Sequence, residues 1–531
     1  VVAEAQPSGA PIKTVFDSGR VNSSRLELVA DLRDDLRSDT LYIWTVHTWC
    51  SHGAHADPLP PSLSDPASFS TGLLRKSDWK AEWIRGGTQC RTEFEIPVGL
   101  PVQRASIFVA ACQYHTLELD GKGIGQGALN GPWTSFYTNR SYSTLHLAPS
   151  MLTPGKHALG LRIGQGFCTS KGQDMYDKDA ERSGILQLQV DGLPIVWTNS
   201  EWSCGDGPIR SDSTYFGEEY DARLETPGWS QPNFYPPSGH ASWQPASTNF
   251  SVVAQLNSEG MPPVRIVKEL ASRSVTKISV APENATCATG AETDELKVEC
   301  PGNKISAIDF FSWGTPLGSC STQLRKGSCA TLVNLTELVR STCVGQESCS
   351  VKCYGQGLPG NPGHCTIAPG GPLCPGFCTP TTVLNPDPCD GTAKNGALDV
   401  TCAVPPPPPS AKVFKYVFDF GQEFAGVVRL TLPPNTPAGT RITLKHAEAL
   451  AHPPLAPVKD GSVYMGNLFW ANPVDIYTAK GGATPEVYQP SMTYHGFRFV
   501  ELSISDGVLP SEPTIATVVG LNLRTAAAES A

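Results

Sequence analysis

Cysteine is spread so unevenly along this chain that it partitions the sequence before any other pattern is considered. Of 17 Cys in 531 residues, twelve lie between Cys287 and Cys402, five lie earlier (Cys50, Cys90, Cys112, Cys168 and Cys204), and none follows. A dense Cys block inside a longer chain marks a disulfide-stapled module of an oxidising compartment. Zinc is the competing use of such a block, but the spacings are irregular and no paired C-x-x-C frame occurs. The odd total leaves one Cys free or bridging to a second chain, if all others are paired.

Outside the block the sequence is written in short β-like runs. Gly and Pro supply 50 and 47 residues, a share that favours turns and strands over long helices. Hydrophobic residues at 40% still allow each domain a core, and the length predicts three to five domains at about 100–200 residues each. Residues 11–76 read as a small β-sandwich, with Tyr42-Ile43-Trp44-Thr45-Val46 its clearest strand. Residues 77–232 carry runs such as Ser106-Ile107-Phe108-Val109-Ala110 and Leu186-Gln187-Leu188-Gln189-Val190, with turn signals every ~8–12 residues, the spacing of a sandwich or jelly roll. The Cys block fills 284–402. Residues 405–410 (Pro405-Pro406-Pro407-Pro408-Pro409-Ser410) predict a stiff extended linker. Residues 411–524 return to β pattern.

The net charge of −10, with no dense Lys/Arg run, gives no footprint for nucleic acid. No run of about 18 or more apolar residues is present, so no membrane-spanning helix is expected. The chain opens Val1-Val2-Ala3-Glu4-Ala5 and reads as a mature form that has lost its targeting segment. Five N-x-[ST] sequons, at Asn22, Asn139, Asn249, Asn284 and Asn334, join the Cys block in predicting a secreted glycoprotein.

Five strings occur in the order found in one enzyme family. They are Phe69-Ser70-Thr71-Gly72-Leu73-Leu74 leading into Asp78-Trp79-Lys80-Ala81-Glu82-Trp83-Ile84; Phe216-Gly217-Glu218-Glu219-Tyr220-Asp221-Ala222-Arg223; Phe418-Asp419-Phe420-Gly421-Gln422-Glu423-Phe424-Ala425-Gly426; His446-Ala447-Glu448; and Tyr494-His495-Gly496-Phe497-Arg498-Phe499-Val500-Glu501. The chain resembles the non-catalytic front half of α-L-rhamnosidases. That resemblance implies a mainly β fold of tandem domains: a fibronectin-like sandwich (11–76), a carbohydrate-binding jelly roll (77–232) and a discontinuous concanavalin-like sandwich (251–281 plus 411–524). A small disulfide-rich α/β module would be inserted in the last.

The module itself resembles a SUEL-type galactose/rhamnose-binding lectin, also found appended to plant β-galactosidases. The matching strings are Leu296-Lys297-Val298-Glu299-Cys300, Phe311 to Cys320, Cys343 to Cys349, and Asp387-Pro388-Cys389 with Lys394. The resemblance implies the pairs Cys287–Cys320, Cys300–Cys402, Cys329–Cys389 and Cys343–Cys349, and leaves Cys353, Cys365, Cys374 and Cys378 to an extra loop. It assigns sugar contacts to Asp387, Lys394 and Trp313; a carboxylate and an ammonium can bracket vicinal hydroxyls. Two positions depart from the rhamnose-binding pattern: Ala288 stands where those lectins often carry Glu, and Trp313-Gly314-Thr315 replaces Tyr-Gly-Arg.

In the jelly roll, Asp120, Trp133, Tyr137 and Asp174 are the candidates for a second sugar site. Calcium is the candidate cofactor there, because related rhamnosidase modules bind sugar with its help. His47, Cys50, His52, His55 and Asp57 crowd one loop with metal-ligand chemistry, against the plainer reading of a polar loop. Gly121, Gly123, Gly125 and Gly127 are read as a hairpin turn, since no helix signal follows for a nucleotide site. Rhamnosidases work in an (α/α)₆ barrel downstream, and no catalytic position of the family falls within this sequence. Glu218, Glu219 and Asp221 are the nearest approach to a carboxylate pair and are read as structural. The expectation is a non-catalytic secreted protein that binds galactose- or rhamnose-containing glycans, with self-association in an extracellular assembly as a variant. The alternative is the accessory half of an α-L-rhamnosidase.

Overall fold

The structure is a computed structural model. It describes the chain except residues 24–28, 33–34, 50–61, 100, 126, 132–133, 135–137, 167–181, 236–242, 251, 253–254, 281–285, 292–293, 301–302, 317–319, 321–323, 325–334, 355–363, 371–380, 385–394, 403–412, 453–460, 469–470 and 527–531. The fold is mainly β, and one α-helix, Leu335–Cys343, occurs among the described residues. The chain forms two units. One comprises Val1–Gly207, Leu224–Arg265 and Thr525–Ala531, and the other Pro208–Arg223 with Ile266–Arg524.

The first unit opens with a four-stranded sheet in the order Pro11–Phe16, Val2–Ala5, Leu41–Trp44, Ala67–Ser70. The strand Val2–Ala5 lies inside this sheet although its Ala-rich sequence carries weak β signal; pairing on both sides supplies what propensity does not. A six-stranded and a five-stranded sheet then face each other. Ile107, Leu186 and Leu188 from one and Leu117, Leu159 and Leu161 from the other fill the space between them. Each is at most 5% exposed, and each contributes about 1.5–3 kcal/mol by leaving water.

The strand Ala105–Ala111 is buried along its whole length because its second face is covered too. Phe108 and Ala110 pack with Leu73, Trp79 and Tyr142. Gln187 is fully buried despite the alternating sequence around it. Its Oε1 accepts from the Lys80 N–H at 2.7 Å and its Nε2 donates to the Asp78 carbonyl at 2.9 Å. The Asp78-to-Ile84 string thus closes one face of this pair of sheets.

The second unit is built on a ten-stranded sheet. Its spine is the 20-residue strand Val413–Leu432, which pairs first with Ser274–Val280 and His495–Asp506 and then with Val518–Thr525 and Glu486–Tyr488. The hairpin of Ile209–Ser213 and Gly217–Asp221 joins the same sheet through a parallel pairing with Val474–Thr478. These two strands fall within 77–232, the range read from sequence as one jelly roll. Conversely, Gln255–Ser258, within the range read as the later sandwich, pairs in parallel with Asn139–Leu147 of the five-stranded sheet. Both swaps involve strands of only four or five residues, too short for a periodic pattern to tell one sheet from the other.

Residues between Val280 and Val413 form sheets of their own. A three-stranded sheet holds Cys287–Ala291, Asn395–Cys402 and Ile305–Gly314, and a four-stranded sheet holds Glu295–Glu299, Ser348–Tyr354, His364–Gly370 and Thr381–Leu384. Their shared core includes Val298, Ile305, Phe311, Val351 and Leu398. The host strands that flank this module meet at its two ends, where Val280 is paired with Val413.

Candidate functional site

Four of the five family-like strings converge on the ten-stranded sheet of the second unit. Gly217 starts the convergence. Its φ of +83° and its closeness to Val474, whose carbonyl oxygen would lie 2.1 Å from an added Cβ, admit glycine alone. The chain then turns Glu218 inward. One carboxylate oxygen accepts from the N–H groups of Ser491 at 3.1 Å and Met492 at 3.0 Å, and the other from the Tyr488 hydroxyl at 3.2 Å. Burial lifts the Glu218 carboxyl to about 7.

Asp475, His446 and His495 complete this buried group, each at most 3% exposed. Asp475 Oδ1 accepts from the Glu218 N–H at 2.9 Å and lies 3.1 Å from His495 Nε2. Burial opposes ionisation of Asp475, but the adjacent His495 and its hydrogen bond outweigh it and hold the carboxyl below its usual range. His446 donates from Nδ1 to the Pro473 carbonyl at 3.1 Å, and burial pushes its imidazole down to about 3. The His446 and His495 rings lie 4.3 Å apart.

Three further carboxylates of these strings are paired with arginines. Asp419 holds Arg498 through two hydrogen bonds of 2.9 Å, and Gly421, at φ +72°, turns the strand beside them. Glu219 pairs with Arg441 at 2.8 Å, and Asp221 with Arg223 at 2.9 and 2.8 Å. Glu218, Glu219 and Asp221 therefore each have a partner within the fold.

In the first unit a cavity of about 470 Å³ is lined by Ser70, His115, Asn130, Ser143, His146 and Glu259, among others. His146 bridges Ser70 Oγ at 3.0 Å and Ser106 Oγ at 3.1 Å, and Ser143 donates to Glu259. His115 is 2% exposed, its Nδ1 has no hydrogen-bond partner among the described residues, and burial pushes its imidazole down to about 4. Burial also raises the Glu259 carboxyl above its usual range. Hydroxyl, imidazole and carboxylate groups around a space of this size suit a small polar ligand.

The residues singled out from sequence fall in different places. Asp120 and Gly121 are the two central residues of a hairpin turn, at φ +52° and +78°, joining His115–Leu119 to Lys122–Ile124. Asp120 Oδ1 accepts from the Ala158 N–H at 2.8 Å, and Oδ2 lies 2.7 Å from His157 Nδ1, so both oxygens serve the turn. Trp133, Tyr137 and Asp174 lie outside the described residues.

Trp313 is 2% exposed in the module's core, opposite Gly396, so its ring has no open face for a sugar. Asp387 and Lys394 lie outside the described residues. Disulfides join Cys287 to Cys320, Cys300 to Cys402, Cys343 to Cys349 and Cys353 to Cys365. Cys329, Cys389, Cys374 and Cys378 are outside the described residues. Cys90 is joined to Cys204, and Cys112 is also disulfide-bonded.

Of the crowded metal-type loop, His47 lies in the short strand His47–Thr48, while Cys50, His52, His55 and Asp57 are outside the described residues. The same holds for the polyproline stretch 405–410. Asn22, Asn139 and Asn249 are exposed, and Asn284 and Asn334 are outside the described residues. Sequence reasoning missed Asp475 and the cavity residues His146 and Glu259. Asp475 lies in none of the five strings, and a lone buried carboxylate leaves no local signal.

Residues 101–268 match the profile of the alpha-L-rhamnosidase N-terminal domain, and 411–520 that of the bacterial alpha-L-rhamnosidase concanavalin-like domain. An alpha-L-rhamnosidase of Streptomyces avermitilis is 24% identical over 445 residues, covering 83% of this chain and 28% of that protein. A beta-galactosidase 7 of Oryza sativa is 33% identical over 69 residues, 13% of this chain and 9% of that protein. The solved alpha-L-rhamnosidase from Dictyoglumus thermophilum shares the fold, with a TM-score of 0.61 at 21% identity over 99% of this chain and 44% of that one. The chain thus spans less than a third of the length of the first of these relatives. Two rhamnosidase domains in their family order, one relative aligned over most of the chain and a shared fold make this chain a relative of the N-terminal region of α-L-rhamnosidases.

Proposed function

We propose that this chain is the carbohydrate-recognising accessory region of an α-L-rhamnosidase-type glycoside hydrolase, with the bond-breaking carboxylates on a domain beyond these residues. The observation that carries this reading is the ordered match to two rhamnosidase domains together with an α-L-rhamnosidase aligned over 83% of the chain. The engagement of Glu218, Glu219 and Asp221 supports it, because glycoside hydrolysis needs two carboxylates facing one bond across roughly 5–9.5 Å.

In this reading the module between Val280 and Val413 is a SUEL-type lectin that brings the enzyme to galactose- or rhamnose-bearing glycans through Asp387 and Lys394. Its three disulfides Cys287–Cys320, Cys300–Cys402 and Cys343–Cys349 and the short similarity to a plant beta-galactosidase favour that assignment. The protein works outside the cell, where disulfides persist and the exposed sequon asparagines can carry glycans. A secreted lectin-bearing scaffold without a catalytic partner is the second reading, favoured by the size of the Cys block.

The test is hydrolysis of an aryl α-L-rhamnoside by the purified chain, with L-rhamnose and D-galactose titrated on the same sample. Saturable binding without turnover, weakened at least tenfold in Asp387→Ala or Lys394→Ala, is expected. Turnover that survives repurification would overturn the accessory role, and failure to bind either sugar would overturn the lectin assignment.

A further inference from the structure

The group formed by His446, Asp475 and His495 has an unmet requirement. His446 Nδ1 faces the Pro473 carbonyl, which can only accept, so this nitrogen carries the ring proton. Its other nitrogen, Nε2, then presents a lone pair. That atom faces Asp475 Oδ2 at 3.7 Å. Both atoms are buried, and neither has a hydrogen-bond partner among the described residues.

Two acceptors facing each other in a dry interior repel. A proton between them would not satisfy both, because 3.7 Å exceeds the ~2.7–3.2 Å of an N–H···O hydrogen bond. A metal ion would. Metal–nitrogen and metal–oxygen bonds of about 2.0–2.2 Å at a tetrahedral angle separate two ligand atoms by about 3.4 Å. His495 Nε2 stands 3.1 Å from the other Asp475 oxygen, and one ligand atom from each of the three residues lies within 4.8 Å of the others.

We propose that His446 Nε2, His495 Nε2 and the Asp475 carboxylate form a structural site for one divalent transition-metal ion of the zinc type. Two imidazoles and one carboxylate are a donor set that suits zinc, cobalt and nickel better than calcium or magnesium. The surroundings already hold the ligands as metal sites require. The Pro473 carbonyl fixes the His446 tautomer, and the Glu218 N–H fixes the Asp475 carboxylate. Loading would move the His495 ring proton from Nε2 to Nδ1, so that both neutral imidazoles bind through an Nε2 lone pair. The ion would tie together Arg441–Ala447, Val474–Thr478 and His495–Asp506, three strands of one sheet. This site is independent of any sugar bound elsewhere.

The experiment uses the purified full chain, stripped with dipicolinic acid and titrated with Co²⁺ as the probe. One equivalent should produce a visible d–d band that Zn²⁺ abolishes by displacement, and Zn²⁺ should raise the melting temperature over the stripped protein. His446→Gln and His495→Gln should each weaken Co²⁺ binding at least tenfold, whereas His52→Ala with His55→Ala should leave the band in place. X-ray absorption of the zinc-loaded wild type should show two imidazoles and no sulfur, a readout that stands even if the glutamine variants misfold. The proposal fails if the wild type shows neither band nor thermal shift. It fails equally if the zinc shell contains sulfur, or if the band survives both glutamine variants and vanishes with His52 and His55.

Discussion

The backbone N–H of Glu218 donates to Oδ1 of Asp475 at 2.9 Å, linking residues 257 positions apart. The Glu218 carboxylate in turn accepts the N–H groups of Ser491 and Met492. One residue thus fixes the hairpin of 209–221 to two other parts of its unit. Glu218→Ala would leave both amides without an acceptor, at about 1–3 kcal/mol each. Calorimetry should show the second unit melting earlier, with Glu218→Gln losing less than half as much because its amide oxygen can still accept. An unchanged melting curve for Glu218→Ala would show that this carboxylate anchors nothing.

His115 makes the first unit acid-sensitive. Its imidazole is held neutral by burial, with a folded value of about 4 against the usual 6.5. The unfolded chain therefore binds a proton that the folded chain refuses. Its stabilising contribution is whole above about pH 6.5 and is lost as pH falls toward 4, amounting to about 3 kcal/mol across that window. His115→Gln should flatten the fall in denaturant midpoint between pH 7 and pH 4. A parallel pH profile in wild type and variant would count against it.

Two glycines of similar φ should respond differently to alanine. Gly217 has φ +83° and no room for a Cβ beside Val474, whereas Gly192 has φ +78° and open space around it. Gly192→Ala should cost only the left-handed conformation, about 1 kcal/mol. Gly217→Ala adds a backbone clash and should cost at least 2 kcal/mol more. Urea denaturation of the two variants side by side measures the gap.

Disulfide removal should scale with the loop closed. Cys90 and Cys204 are directly paired across neighbouring strands and lie 114 residues apart in sequence, while Cys343 and Cys349 are separated by 6. Chain entropy gives roughly 4–5 kcal/mol for the first and roughly 2 kcal/mol for the second. Paired Cys→Ala variants, compared by thermal melting, should keep that order.

How much of this was legible in sequence depended on how local each signal was. The glycine loop at Gly121 reads as a hairpin because Asp-Gly encodes its turn in two adjacent residues, and the structure places it so. The family-like strings were visible as text, yet their meeting point was not, because strand order is a long-range property. Asp475 could not be singled out, since nothing in Pro473-Val474-Asp475 says that two histidines will face it. Trp313 misled for the opposite reason. An aromatic residue in a lectin-like string suggests a stacking face, but pairing with Gly396 opens a slot in the core that the indole fills. Asp120 likewise offers a carboxylate in sequence and spends it on His157 and Ala158 in the fold.

The pairing of Val280 with Val413 has a consequence for how the chain is assembled. To the host sheet, everything between those residues is a connection between two adjacent antiparallel strands, no different in kind from a short β-turn. Replacing 281–412 by Asn-Gly should leave a hairpin that keeps its register, and the shortened host should retain its cooperative melting transition. A cassette with this junction can be gained, lost or transplanted in a single genetic event, without asking either neighbour to refold.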